Sequence, residues 1–353
     1  MCDHTSEIPD LTAVPAIPGT LPLAFFDTAL AGLRHYYAVT TALDLGLFEL
    51  LREPKTGSEC ADALGCRNDL VTLLCESLVS TGLLEKDGEQ FHTSAIGQLY
   101  LISSSPFCQK HAIAFQRRLA GLWTQLPIIL KEGPVTYDRA GMFRDVIIPS
   151  MAEHCRCGLL QQVTRQIAAL PEFPVARRLL DLCGGHGLYA IAFCQANPHL
   201  EAVVFDLPEV TEATRDFIQK YQADRVRVLP GDIFTDPIGG GYDIIFSSSN
   251  PGGKVPSLIP KIVAALNTGG LFINKQAIDD IPEDPYTSLE WNLWTFAGIQ
   301  KQMKRYVFSN SVTLAEYNRQ LADHGLVVRD VVPIDAETAM TIAEKVVRAD
   351  QAE

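Results

Sequence analysis

Three carboxylates and a run of glycines carry the chemistry that can be read first. Asp181-Leu-Cys-Gly184-Gly185-His-Gly187 joins an apolar run to a helical one, and glycines there let the backbone approach a ligand while the helix N-terminus favours an anion. Asp206 closes the next apolar run, where a carboxylate accepts hydrogen bonds from the two hydroxyls of a ribose. Asp232, in Gly231-Asp232-Ile233-Phe234, closes a third run; it is placed to accept from an adenine amino group while Ile233 packs on the ring. Together they suit a nucleoside cofactor, whereas the glycines alone suit a tight strand-to-helix turn equally well. Further along, Trp291 and Trp294 are three residues apart, Tyr286, Tyr306 and Phe308 lie nearby, and Arg117, Arg118 and Arg139 are cations suited to bidentate pairing with a carboxylate. His154-Cys-Arg-Cys157 lacks zinc spacing, and no metal is expected.

These residues need a scaffold, and the pattern after Pro171 supplies it. Short apolar runs (178–183, 201–206, 225–229, 242–246 and 270–274) alternate with helical stretches (189–197, 209–221 and 257–266), as in a parallel sheet covered on both faces. The end differs: a helix over 313–324 precedes two runs, 326–332 and 338–342, that can pair as a hairpin. Before Pro171 the chain reads as helical. Apolar spacing predicts helices over 24–51, a short helix capped by Ser58, a helix over 68–81 ended by Gly82, and a hairpin around Asp87-Gly88, which is a winged-helix pattern. Helices also fit 109–130 and 149–170, and residues 1–20 form a proline-marked arm.

Composition narrows the partners. With 29 basic and 42 acidic side chains among 353 residues, the net charge is −13, which repels phosphate at long range. The second winged helix has no basic residue after Arg67, so it lacks the side chains that read bases, and no nucleic-acid partner is expected. Nine cysteines without a regular framework read as reduced thiols, and no apolar run reaches the roughly 20 residues of a membrane span. A cytoplasmic protein without a membrane partner is expected, and at 100–200 residues per domain the length suggests two domains.

The glycines do not fit Gly-x-Gly-x-x-Gly, and a dinucleotide makes no demand for the acid at 232; with the terminal hairpin this favours S-adenosylmethionine over NAD. At this point the second half resembles class I S-adenosylmethionine-dependent methyltransferases. Residues 20–345 as a whole resemble the plant-type O-methyltransferases, on Asp181–Gly187, Phe205-Asp206-Leu207-Pro208, Gly231-Asp232-Ile233-Phe234 and Met151-Ala-Glu-His154-Cys155. The resemblance implies a flexible arm at 1–20, a winged-helix dimerisation and substrate-lid domain at 21–170, and a cofactor-binding domain at 171–353. It also implies a homodimer, with Gly184, Gly185 and Gly187 around the methionine moiety, Asp206 and Leu207 at the ribose, and Asp232 and Ile233 at the adenine. Met151, His154 and Cys155 fall on a Met-x-x-His-Ser pattern, Cys155 replacing the serine. Ser247 and Ser248 fall on the cofactor side of the fourth strand, Ser248 replacing a lysine. Cys183 stands where the loop usually has a glycine, so its φ needs inspection.

The family's His-Asp base pair is missing, because Gly252 and Gly253 occupy its positions. A phenol needs a base worth roughly 10²–10⁴-fold, whereas a thioether has no proton to lose. The expectation drawn from this is S-methylation of a small carboxylate-bearing thioether. The bacterial 4-methylthio-2-hydroxybutyrate S-methyltransferases of dimethylsulfoniopropionate synthesis are the narrower resemblance. Trp291 and Trp294 would stabilise the sulfonium, and Arg117, Arg118, Arg139, Tyr286 and Tyr306 would bind substrate. Two alternatives stay open: O- or C-methylation of a hydroxylated or aromatic metabolite with His154 or the substrate as base, and a winged-helix regulator that senses S-adenosylmethionine.

Overall fold

Apolar residues at helical spacing carry the start of the chain into a 26-residue helix, α1 (Thr20–Leu45), followed by α2 (Leu47–Leu50). The computed structural model describes residues 12, 20–279, 284–297 and 310–346. These fall into two compact units, Met1–Cys108 and Gln109–Glu353. In the first, β1 (Lys55–Thr56) leads into α3 (Gly57–Leu64) and α4 (Asn68–Ser80), then β2 (Leu84–Asp87), β3 (Gln90–Thr93) and α5 (Ala95–Tyr100). The strands form a small antiparallel sheet in the order β1-β3-β2, and the turn of the β2-β3 hairpin passes through Gly88 at φ +58°. Thr56, not Ser58, caps α3: Glu59 N–H donates to Thr56 Oγ1 and Thr56 N–H donates to Glu59 Oε2. Ala42, Leu47, Phe48, Cys75, Leu78 and Phe91 form this unit's core. The first half of α1 stays bare, residues 23–35 all being exposed, with Leu23, Phe25, Phe26, Leu30 and Leu33, and further along Tyr37, uncovered.

The second unit begins with α6 (Lys110–Thr124), α7 (Leu126–Glu132), β4 (Val135–Tyr137) and α8 (Arg139–Met142). A π turn over Phe143–Ile147 then runs into α9 (Ile148–Cys155) and α10 (Leu159–Ala168). Helices α6 to α10 fall in this unit, and their contacts explain why. Glu153 on α9 is 5% exposed and caps α6, Oε2 accepting from the N–H groups of His111 (2.7 Å) and Ala112 (3.0 Å). Val163 and Ile167 on α10 join the core beneath the large sheet.

That sheet follows: β5 (Arg178–Leu182), α11 (Leu188–Ala196), β6 (Glu201–Asp206), α12 (Pro208–Lys220), β7 (Val226–Pro230), β8 (Tyr242–Ser248), α13 (Ile259–Ala265), β9 (Leu266–Ala277), α14 (Pro285–Asn292), β10 (Trp294–Phe296), α15 (Leu314–Asp323), β11 (Leu326–Pro333) and β12 (Thr338–Lys345). Seven strands lie in the order β11-β12-β9-β8-β5-β6-β7, and β12 runs antiparallel to both neighbours. Alternate residues face two cores. Leu179, Phe246, Leu271 and Ile273 face α10 and α11, while Leu180, Ile245 and Phe272 face α13 and α15. The strand order reverses between β5 and β8, and ligands of such sheets bind outside the carboxyl ends at this switch point. No helix among the described residues is long and apolar enough to cross a membrane.

Candidate active site

Asp181 and Phe246 are register partners at the carboxyl ends of β5 and β8, followed by Leu182 and Ser247. Both chains then turn sharply. After β5, Cys183 (φ +56°), Gly185 (+55°) and Gly187 (+70°) adopt left-handed backbone; after β8, Ser249 does so at +50°. The inspection that Cys183 called for thus finds a non-glycine residue in the region glycine favours. Such a residue costs about 1–2 kcal/mol, and strain of this kind collects at functional sites. A Cβ on Gly184 would lie 2.5 Å from the Asp181 carboxyl carbon, so the loop is laid directly on that carboxylate. A Cβ on Gly187 would meet Thr214 Cγ2 at 2.8 Å, because there the loop packs on α12 as it enters α11.

The carboxylates differ in surroundings. Asp181 is 1% exposed; burial pushes its pKa up to about 7, against the Ala190 N–H bond, and among the described residues its Oδ2 has no partner. Asp206 accepts from Gly185 N–H (2.9 Å) and Leu207 N–H (2.8 Å), tying the end of β6 to the glycine loop, and burial raises its pKa to about 6. Asp232 accepts from Phe234 N–H at 2.8 Å, while Ile233 packs in the core on the α13 side. A buried carboxylate oxygen without a partner, a backbone cradle that a Cβ would fill, and a second carboxylate at the end of β6 fit the S-adenosyl cofactor. His186 within the loop is a structural residue. Its Nδ1 accepts from Leu188 N–H, and burial lowers its pKa to about 4.

On α9, Ala152, Glu153 and Cys155 are buried while Met151 and His154 are exposed on one face. The His154 carbonyl accepts from Cys157 N–H at 3.2 Å, while among the described residues its ring has no hydrogen-bond partner. Ser247 is 1% exposed and accepts from Asn250 Nδ2 at 2.8 Å. Cys155 and Ser248 lie beside the Tyr189 hydroxyl, and burial raises the Cys155 pKa to about 11. Where the family's base pair belongs, Gln276 fills the space: a Cβ on Gly253 would stand 1.8 Å from its Nε2. Gln276 donates to Asn274 Oδ1 (2.9 Å), and Asn274 donates to the Gly253 carbonyl (2.7 Å), closing a buried polar circuit that sequence reasoning did not find.

The acceptor candidates divide. Trp291 ends α14 and Trp294 opens β10, so they are not on one helix; β10 pairs in parallel with β4 through Trp294–Val135. Trp294 is 5% exposed and meets Trp291 and Phe296 edge-on, each at 5.3 Å. The Arg118 guanidinium lies 5.4 Å over the Tyr137 ring, within the same aromatic group. Phe143 stacks on Phe296 and also packs against the cluster of Ile148, Val210 and Ala213, and a Cβ on Gly185 would lie 3.5 Å from Ile148 Cδ1, which brings this group up to the glycine loop. Tyr286 is exposed at its edge, 6.3 Å from Trp123. Arg139 instead pairs with Glu209 at 2.6 Å, Arg117 lies half-buried on α6, and Tyr306 lies outside the described residues.

A sheet of this order, with a glycine loop and carboxylates at its switch point, defines a class I S-adenosylmethionine-dependent methyltransferase. Comparison with known proteins gives the family. Residues 142–306 match the O-methyltransferase domain and residues 29–103 the O-methyltransferase dimerisation domain. The uncharacterized protein MJ0086 of Methanocaldococcus jannaschii is 38% identical over 318 residues, covering 88% of this chain and 86% of that one. The N,N-dimethyltransferase OxyT of Streptomyces rimosus is 26% identical over 315 residues, covering 84% and 89%. The structure of human N-acetylserotonin methyltransferase in complex with S-adenosylmethionine superposes with a TM-score of 0.66 at 18% identity, covering 95% of this chain and 100% of that one. The chain belongs to the O-methyltransferase family and is an S-adenosylmethionine-dependent methyltransferase.

Proposed function

We propose that this enzyme, as a homodimer, methylates a hydroxyl oxygen of a small molecule, with His154 as the proton acceptor. The observation that carries this reading is the division of α9, which buries Glu153 and Cys155 but presents Met151 and His154 together on an exposed face. The matched O-methyltransferase domain supports an oxygen acceptor ahead of the thioether that the missing base suggested. The matched dimerisation domain and the bare apolar first half of α1 support the homodimer.

Bound S-adenosylmethionine supplies a methyl group already activated by its sulfonium, so the protein's part is alignment and proton removal. In this reading Gly184, Gly185 and Gly187 let the backbone close on the methionine moiety, with Asp181, Met151 and Cys155 beside it. Asp206 and Leu207 take the ribose, Asp232 and Ile233 the adenine, and Ser247 and Ser248 the floor of the site. Trp291, Trp294, Arg117, Arg118 and Tyr286 shape the acceptor pocket. His154 accepts the hydroxyl proton as oxygen takes the methyl group, and the thioether product leaves.

A second reading, base-free methylation of a thioether, is favoured by the Gly253–Gln276 contact, which leaves no room for the inherited base. Release of S-adenosylhomocysteine with a panel of phenols, hydroxy acids and thioethers separates the two. For an oxygen acceptor, His154→Ala lowers single-turnover transfer about 10²–10⁴-fold. Turnover of thioethers alone, with no effect of His154→Ala, overturns the oxygen reading.

A further inference from the structure

Among the described residues two lysines are buried at the carboxyl end of the sheet, and only one of them is paired with a carboxylate. Lys254, 6% exposed, holds Asp279 Oδ1 at 2.6 Å. Lys275 on β9 is 2% exposed, and its Nζ donates to Ser249 Oγ at 2.9 Å. Among the described residues no carboxylate lies within ion-pair distance of it; Asp335 acts on it only at longer range, and burial lowers its pKa. An ammonium buried without a counter-ion is strongly unfavourable, and a fold keeps one where an anion arrives.

A buried hydroxyl stands beside it. The Tyr189 ring meets Phe246 edge-on at 4.9 Å, and its buried hydroxyl has only Cys155 and Ser248 beside it among the described residues, neither in well-formed hydrogen-bond geometry. Phe246 and Ser248 alternate onto the same face of β8, and Ser248 is the register partner of Lys275. Cys155 on α9 lies next to Tyr189 and within the field of Lys275. One cation without a paired carboxylate and one weakly engaged O–H donor, each more than nine-tenths buried, therefore lie on the switch-point face that also carries Asp181. One positive charge suits a monoanion with two acceptor oxygens; a phosphate dianion would need more donors.

From this arrangement we infer that Lys275 and Tyr189 form a subsite for a carboxylate group. The inference rests on the cofactor reading of this end of the sheet, and the carboxylate belongs either to the methionyl part of the cofactor or to the acceptor.

Calorimetry on wild-type protein, Lys275→Met and Tyr189→Phe tests it with defined probes. S-adenosylhomocysteine is compared with 5′-methylthioadenosine, which keeps the adenosine and thioether but has no carboxylate. Benzoate is compared with benzamide on protein loaded with S-adenosylhomocysteine. A cofactor carboxylate predicts that Lys275→Met weakens S-adenosylhomocysteine at least tenfold and leaves 5′-methylthioadenosine unchanged. An acceptor carboxylate predicts unchanged nucleoside binding and loss of a tenfold preference for benzoate over benzamide. In both cases Tyr189→Phe acts in the same direction but less, and ligand-free Lys275→Met melts at or above the wild-type temperature. Both preferences within twofold of wild type in both variants overturn the subsite, all the more if Lys275→Met also melts lower, as a structural lysine would. If wild-type protein binds neither nucleoside, the cofactor reading fails and the subsite with it.

Discussion

Gln276 and Gly253 are packed so closely that the amide nitrogen of one occupies the side-chain position of the other, 1.8 Å from where a Cβ would be. Gln276 is held there by its bond to Asn274, which in turn holds the Gly253 carbonyl. Gly253→Ala must displace this circuit and is expected to cost about 1–3 kcal/mol in urea unfolding, as overpacking does. Gln276→Ala in the same chain should recover a substantial part of that loss, giving a coupling of about 1 kcal/mol or more in the double-mutant cycle. Additive losses would show that the contact does not exist in solution. Gly252→His with Gly253→Asp should, for the same reason, fail to restore a base while Gln276 is present.

Much of the scaffold was legible before the structure, and the reason is physical. Buried parallel strands are apolar on both faces, so 201–206 stood out with both its ends correct, and the two terminal apolar runs beginning at 326 and 338 were readable as a pair able to form a hairpin. What escaped depends on contacts between distant residues. Nothing in Trp294 announces a three-residue parallel pairing with Val135, nothing in Gly253 announces Gln276, and the α6 cap comes from Glu153 on another helix. The glycine loop was readable as a candidate site because its residue types and their strand-end positions coincide. Lys275 was not, since a lysine inside an apolar run reads equally as an edge residue until its burial is known.

Asp206 ties β6 to the glycine loop, and in the proposed reading it takes the ribose. Asp206→Ala should lower S-adenosylhomocysteine affinity about 10- to 100-fold, the range for removing one or two hydrogen bonds to a charged group. Equilibrium dialysis measures the loss, and an unchanged sedimentation coefficient shows that assembly is retained. Equal loss of folding and binding would make the residue purely structural.

The exposed first half of α1 carries Leu30 and Leu33 among its bare apolar residues. Leu30→Glu with Leu33→Glu places two charges on it and should weaken self-association at least tenfold in sedimentation equilibrium, with helicity retained. Unchanged association would move the dimer contact elsewhere.

Burial of Asp181 sets a pH dependence of defined sign. Its pKa is raised from 3.8 to about 7, so the folded chain holds the proton more tightly than the unfolded one. That contribution is fully present below pH about 4 and is lost as pH climbs to about 7, by at most a few kcal/mol. Asp206 acts in the same direction up to about pH 6, while His186, lowered to about 4, acts oppositely between about 4 and 6.5. The difference between wild type and Asp181→Asn isolates the first term. In urea unfolding of ligand-free protein, the variant should gain relative stability steadily from pH 4 to pH 7, and a constant difference would contradict a buried, unpartnered carboxylate.

Cys183 offers a direct measure of the strain in the cofactor loop. At φ +56° its Cβ crowds the following carbonyl, at about 1–2 kcal/mol, and both Cys183→Gly and Cys183→Ala remove the thiol while only the first removes the crowding. Glycine loses more unfolded-state freedom, by roughly 0.5–1 kcal/mol, so the two effects partly offset. The glycine variant should therefore be more stable than the alanine variant by up to about 1 kcal/mol in the same urea assay. Both should bind S-adenosylhomocysteine comparably to wild type, because the loop's hydrogen bond to Asp206 comes from Gly185 N–H. An alanine variant at least as stable as the glycine one would mean that residue 183 does not hold the left-handed conformation in solution.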